Sequence, residues 1–214
     1  MSAASGAEIQ CGLVVVGQAI QHIDMLLEGF SEFLASDSCP VSAEITGIAS
    51  RDYQGALQPL GDGGGISRPE NLVVLSSTGL LECHVRDDST MDIRLLSPLR
   101  LFENGHLLKL FDFSRFARSL MRRVSALAYY YGAYEYTCDF KALSDQANAV
   151  TCTDGHFTLS SGTGRKQSGV TGYGSFRGDL SGLMSFLVLG MYVHAGKGAS
   201  FGMGMYELSS GREE

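Results

Sequence analysis

Near its carboxyl end the chain passes from an apolar helix into a loop that carries almost no side chains, and this junction constrains the fold more than any other feature. Leu180–Met191 reads as a helix carried by Leu183, Phe186 and Leu187, with Gly190 as a position for close packing. His194-Ala195-Gly196-Lys197-Gly198-Ala199-Ser200-Phe201-Gly202-Met203-Gly204-Met205-Tyr206 follows, with four glycines in the nine residues from 196 to 204. Ala199–Leu208 reads as the last strand. Two readings fit the glycines. They let the chain turn tightly against a packed helix, or they leave backbone N–H groups bare for an anion, because no Cβ blocks its approach. On the second reading the contact residues are Gly196, Lys197, Gly198, Ser200, Gly202 and Gly204.

Two common phosphate motifs fail here. A P-loop needs a glycine five residues before Gly196 and a hydroxyl residue after Lys197; the nearest glycine is Gly190, and Gly198 follows the lysine. The loop also follows a helix instead of preceding one, so the anion site of a helix N-terminus is missing. Gly172, Gly174 and Gly178 have the wrong last spacing for a dinucleotide fingerprint. A mononucleotide ATPase and a Rossmann oxidoreductase are therefore disfavoured, and no cofactor or metal site is expected.

The rest of the chain reads as mixed α and β. Ile9–Val16 predicts a buried strand, Ile23 to about Ser36 an amphipathic helix, and Val41–Ala49 a second strand. Gln54–Pro69, with five glycines and two prolines, predicts a loop. Leu72–Leu75 and Leu80–Leu96 predict strands, the second forming a hairpin that turns near Asp87, Asp88 or Ser89 and is ended by Pro98. Asp112 or Ser114 caps a long helix to Tyr131, with Gly132 as its left-handed C-terminal cap. Val150–Leu159 predicts a strand pair turning at Asp154-Gly155, Ser160–Ser168 a flexible basic loop, and Gly169–Phe176 a strand. Strand–helix–strand order at both ends fits split βαβ units and an α+β fold. At 214 residues the chain can form one large domain or two small ones. No run of 18 apolar residues spans a membrane, and the N-terminus lacks the basic and apolar parts of a secretory signal. Five widely spaced cysteines suggest neither a metal knuckle nor a disulfide framework, as expected for reduced thiols in the cytoplasm.

Charge divides the chain. Residues 1–93 hold 3 Lys+Arg against 13 Asp+Glu, whereas residues 94–197 hold 12 against 7. Such asymmetry points to a polyanion-facing surface on an acidic protein, or to halves that neutralise each other across the fold. Arg115, Arg118 and Arg122 share one helix face, with Arg123 beside it. No acid lies between Ser114 and Ala133, so ion pairs within that span cannot occupy them. Arg165, Lys166 and Arg177 extend the basic set. Tyr129, Tyr130 and Tyr131 either pack at the helix end or stack on bases.

On these residues the chain resembles the CRISPR repeat-processing endoribonucleases of the RAMP superfamily. Leu189-Gly190 followed by His194, Gly196, Lys197, Gly198, Phe201, Gly202, Gly204 and Tyr206 matches their C-terminal signature. Ser97-Pro98-Leu99-Arg100-Leu101 before the arginine helix, and Leu13–Ile20 before the first helix, are also similar to that family. The resemblance implies an α+β, ferredoxin-like βαββαβ RAMP fold with insertions. One elaborated domain would span 1–214, with 52–80 and 133–168 as loops or insertions. It implies CRISPR repeat RNA as partner, alongside other CRISPR-associated proteins or a second copy of the chain. It implies cleavage without metal, by attack of a 2′-hydroxyl on the adjacent phosphate; the alternative is a non-catalytic RNA-binding or scaffold subunit. The family's usual base histidine lies in a first domain that no stretch here resembles, so no catalytic residue transfers. By position alone His194, beside the loop, and His22, at the start of the first helix, are the candidates.

Overall fold

A computed structural model describes residues 8–39, 43–60, 72–84, 89–161 and 168–210. A 3-10 turn, Gly17–His22, leads into α1 (Ile23–Ala35). β1 (Ala49–Arg51) and β2 (Leu57–Pro59) form a small antiparallel pair, and α2 (Ser77–His84) follows. Next come β3 (Thr90–Leu99), the short hairpin β4 (Phe102–Glu103) and β5 (His106–Leu107), α3 (Phe113–Gly132) and α4 (Phe140–Ala149). β6 (Thr151–Ser160), β7 (Gly169–Arg177), α5 (Met184–Val193), a 3-10 turn over Ala199–Phe201 and β8 (Tyr206–Ser210) complete the chain.

The central sheet has the order β6-β7-β3-β8, antiparallel throughout. Going from β3 through α3 to β6 skips over β7, and going from β7 through α5 to β8 skips over β3. These are two interleaved split βαβ units, the expected ferredoxin-like topology, but the first unit is β3–α3–β6 and not the amino-terminal segment 9–49. Alternation in β3 explains the layering. Met91, Ile93 and Leu95 are buried under the helices, and Arg94 and Leu96 face outward. On α3 the buried stripe is Phe113, Phe116, Ala117, Leu120, Met121 and Val124. α5 is buried through Met184, Phe186, Leu187, Val188 and Gly190. Gly190 is the close-packing position the sequence suggested: a Cβ there would strike Leu120 and the Tyr206 ring hydroxyl. Tyr206 is fully enclosed, packs edge-on to Phe116 at 4.9 Å, and donates its hydroxyl to the Leu187 carbonyl at 2.6 Å. That bond satisfies a hydroxyl that burial would otherwise penalise by roughly 1–3 kcal/mol.

Several local expectations are corrected. Ile9–Val16 is not a strand; Ile9, Leu13 and Val14 are half exposed or more, and no ladder partner lies beside them among the described residues. Apolar β-branched runs become strands only where an edge receives them. The second strand begins only at Ala49, and its partner β2 falls inside the expected loop; 61–71 lie outside the described residues. Leu80–His84 is helical because Leu80 is buried where α2 packs on α5. The expected turn at Asp87-Asp88 lies outside the described residues. β3 runs through Pro98, which is tolerated because the β7 ladder is interrupted between Leu95 and Leu99. Gly132 is the last helical residue of α3, and Ala133 takes the left-handed cap at φ 49°. β6 is one strand with a register shift between Cys152 and Asp154, not a hairpin. Stretch 133–168 thus supplies α4 and a strand of the central sheet. The last strand starts only at Tyr206. None of the five cysteines is in a disulfide, and no described helix is long and apolar enough to cross a membrane.

Candidate nucleic-acid interface

The glycine loop is stitched to the end of β3. Lys197 N–H donates to the Arg100 carbonyl at 2.9 Å, and Gly204 N–H to the Pro98 carbonyl at 3.0 Å. Ser97 Oγ donates to the Gly202 carbonyl at 2.7 Å and accepts from Met205 N–H at 2.8 Å. Ala195 N–H closes the neck by donating to the Gly204 carbonyl at 3.0 Å. Gly196 N–H reaches across to Ser119 Oγ on α3 at 3.1 Å. Phe201, Gly202 and Met203 donate within the loop itself.

Most of the amides are therefore consumed by the fold, and the turn reading accounts for most of the glycines. Gly196, Gly198, Gly202 and Gly204 all have positive φ, and a Cβ on Gly196 or Gly204 would collide with the Arg100 or Ala195 carbonyl. What remains open is narrower than the sequence suggested. The amides of Gly198, Ala199 and Ser200, at the 3-10 turn, are not engaged by β3 or α3, although Ala199 itself is buried. Ala199 and Ser200 follow left-handed Gly198, a backbone turn of the type that can bring successive amides toward an anion.

Cations and rings flank that tip. Lys197 is exposed and sets its ammonium 5.2 Å from the centre of the Phe102 ring, and the Arg100 guanidinium lies 5.6 Å from the same ring. Neither the aromatic rings at 102 and 201 nor Ser97 and Ser119 were among the expected contacts. Phe201 sits in the family signature, but its exposure, 90%, is a tertiary fact.

The arginine row separates by role. Arg115 pairs with Glu103 and, at 3.4 Å, with Asp112, the N-cap whose other oxygen accepts from the Arg115 amide. The acids that neutralise it lie just outside the span the sequence argument covered. Arg123 donates from Nε to the Val193 carbonyl at 2.5 Å, closing the end of α5, and burial lowers its pKa. Arg118 is bonded to Asn148 Oδ1 at 3.3 Å, and Arg122 is exposed. They are chain neighbours of Ser119 and Arg123, the two α3 residues that touch the loop and the end of α5. Arg177 is exposed at the end of β7; Arg165 and Lys166 lie outside the described residues. Tyr129, Tyr130 and Tyr131 are all more than half exposed at the far end of α3.

The two histidines differ sharply. His22 is exposed, in the turn that packs against the C-terminal end of α3. His194 is half-buried at the loop's root, with Nδ1 3.4 Å from the Ala199 carbonyl. Its φ of 63° and ψ of 168° fall where glycine alone is at ease, a strain of about 1–3 kcal/mol. Burial, and secondarily the Arg123 charge, pushes its pKa below the ordinary 6.5, so the ring is neutral at neutral pH. As pH falls below about 6.5 the unfolded chain therefore takes up this proton before the folded one does, and folding stability drops. Urea unfolding between pH 7.5 and 5.5 should show that loss, and His194→Gly should flatten it while raising stability at pH 7.5 by about 1 kcal/mol as the strain is relieved. An unchanged pH slope in the variant would remove His194 as its source. No three His, Cys, Asp or Glu side chains gather as a metal would require among the described residues.

The family model for CRISPR-associated endoribonuclease Cas6 matches residues 93–206, more than half of the chain. Thermus thermophilus Cas6 (TTHB231) superposes over 91% of this chain and 95% of its own, at 16% identity and a TM-score of 0.54. A mutant of Cas6 (TTHA0078) superposes over 64% of this chain and 58% of its own, at 16% identity and 0.50. A partial Cas6-RT-Cas1–Cas2 complex superposes over 74% of this chain and 30% of its own, at 15% identity and 0.53. The chain spans little more than half the length of the TTHA0078 structures. No curated protein matches it. At such identities the likeness to solved structures speaks for the fold, whereas the family model runs from within β3 through the arginine helix, β6, β7 and the glycine loop to the first residue of β8. The chain belongs to the CRISPR-associated endoribonuclease Cas6 family.

Proposed function

We propose that this chain recognises CRISPR repeat RNA and takes part in its processing. The observation that carries the reading is the tip of the glycine loop. The turn Gly198–Ser200 stands beside exposed Lys197, and Gly196 at the loop's root is bonded to Ser119, the chain neighbour of Arg118 on α3. A ribose-phosphate chain is the polyanion that such a strip suits, with amides and cations on phosphates and rings left for bases.

Cleavage by the family's route forms a bond between the 2′-oxygen and the adjacent phosphorus and breaks the bond from phosphorus to the 5′-oxygen. A base takes the 2′-proton, and an acid returns one to the leaving oxygen. We assign the base to His194: its ring is uncharged, it lies against Ala199 in the loop's 3-10 turn, and its backbone is strained where glycine would relax it. The test is incubation of labelled repeat RNA with the chain in EDTA. Cuts ending in 2′,3′-cyclic phosphate are expected. His194→Ala should slow them about 100- to 10,000-fold with RNA affinity retained, and His22→Ala should leave them unchanged. Bound but uncut RNA would remove the cleavage step and keep recognition; absence of binding would remove both.

A further inference from the structure

We propose that Phe201 is a stacking platform for one unpaired RNA base, the base next to the phosphate nearest the loop tip. The inference rests on the RNA reading above and adds to it a contact for the base. Phe201 is 90% exposed, more than any other large apolar side chain described. That exposure is not a product of slack backbone. The Phe201 amide donates to the Gly198 carbonyl at 2.8 Å, left-handed Gly198 and Gly202 bracket the turn, and the Ser97 hydroxyl holds the Gly202 carbonyl. A ring held rigidly in water contributes nothing to the core, so its use lies with something that arrives from outside.

The surroundings specify what arrives. Residues 194–205 contain no acid, and the adjacent turn presents Lys197, with Arg100 over the same Phe102 ring. An anion with flat apolar faces matches a cationic, acid-free tip that ends in a bare ring. Single-stranded RNA supplies both parts, a phosphate for the lysine and a base face for the phenyl group. Ring faces accept any base, so Phe201 contributes affinity and position more than sequence choice.

Because the chain has no tryptophan, Phe201→Trp places a lone indole at the tip. Its emission should be quenched when a single-stranded oligoadenylate 12-mer is added, with affinity kept. By fluorescence anisotropy of the fluorescein-labelled 12-mer, Phe201→Ala and Phe201→Leu should both weaken binding about fivefold to a hundredfold. Melting temperature should not move, since the side chain is 90% exposed. The penalty of Phe201→Ala should vanish when every position of the 12-mer is abasic, because no base face is then left for the ring. Wild-type affinity in both variants, or an unquenched indole on bound RNA, overturns the stacking role and leaves the RNA reading standing. If the wild-type chain binds neither the 12-mer nor repeat RNA, the RNA reading fails and this inference falls with it; if it binds repeat RNA but no single-stranded 12-mer, the stacking role alone is overturned.

Discussion

Alanine at position 204 is expected to cost about 2–5 kcal/mol of folding stability, whereas alanine at 202, two residues away in the same loop, should cost about 1 kcal/mol. Both glycines are left-handed, at φ 68° and 79°, so each substitution bears the strain of a side chain there. Their surroundings differ. A Cβ on Gly204 runs into the Ala195 carbonyl at the loop neck, while a Cβ on Gly202 meets nothing within 4 Å. The Gly204 variant should also lose RNA affinity, because the Gly204–Pro98 and Ala195–Gly204 bonds that hold the tip must part. Urea denaturation of the two variants beside the parent checks the order. Equal costs would mean that the neck is not as close-packed as described, and a stable Gly204→Ala with intact RNA binding would detach the tip from its wiring to β3.

RNA affinity is expected to fall about 20-fold between 50 and 200 mM salt if Lys197, Arg118 and Arg122 each meet one phosphate of a single strand. Each contact adds about 0.7 to the slope of log affinity against log salt, so the triple alanine variant should flatten that slope by about 2. Arg115→Ala should leave the slope nearly unchanged, since Glu103 and Asp112 already neutralise that guanidinium. Fluorescence anisotropy across a salt series reads all of these. A slope that Arg115→Ala lowers as much as Lys197→Ala does would mean that the ion pairs open to admit RNA, and a slope indifferent to the triple variant would move the phosphates elsewhere.

The parts of the fold that were legible in the sequence are those whose signal is local. The α3 stripe from Phe113 to Val124 repeats with helical spacing, Asp112 is a capping type in the right place, and Gly190 marks a close crossing without reference to any partner. α4 was equally readable from its cap, since Asp139 accepts from the Lys141 and Ala142 amides, but the span around it lacked a strong apolar stripe. The N-terminal segment misled for a physical reason. Ile9–Val16 has strand propensity, yet a strand is defined by its neighbour, and residues 10 to 16 carry no information about which edges are free. At the candidate site the glycines stood out at once and their work did not. Whether an amide faces solvent or the Pro98 carbonyl depends on a segment about a hundred residues earlier in the chain. The neutralisation of Arg115 by Glu103, the strained backbone of His194 and the bare ring of Phe201 are likewise products of tertiary placement, each invisible in a residue's own neighbours.

The bonds that join the loop to Ser97, Pro98 and Arg100 have a thermodynamic consequence. Glycine-rich recognition loops in many proteins are floppy before their ligand arrives and must forfeit that freedom to hold it. Here the neck is already an extension of the sheet, so the ordering has been done during folding and little conformational entropy is left to lose at encounter. A rigid tip of this kind trades adaptability for a standing shape: it can grip a backbone presented at one angle firmly, and it has little means of accommodating another.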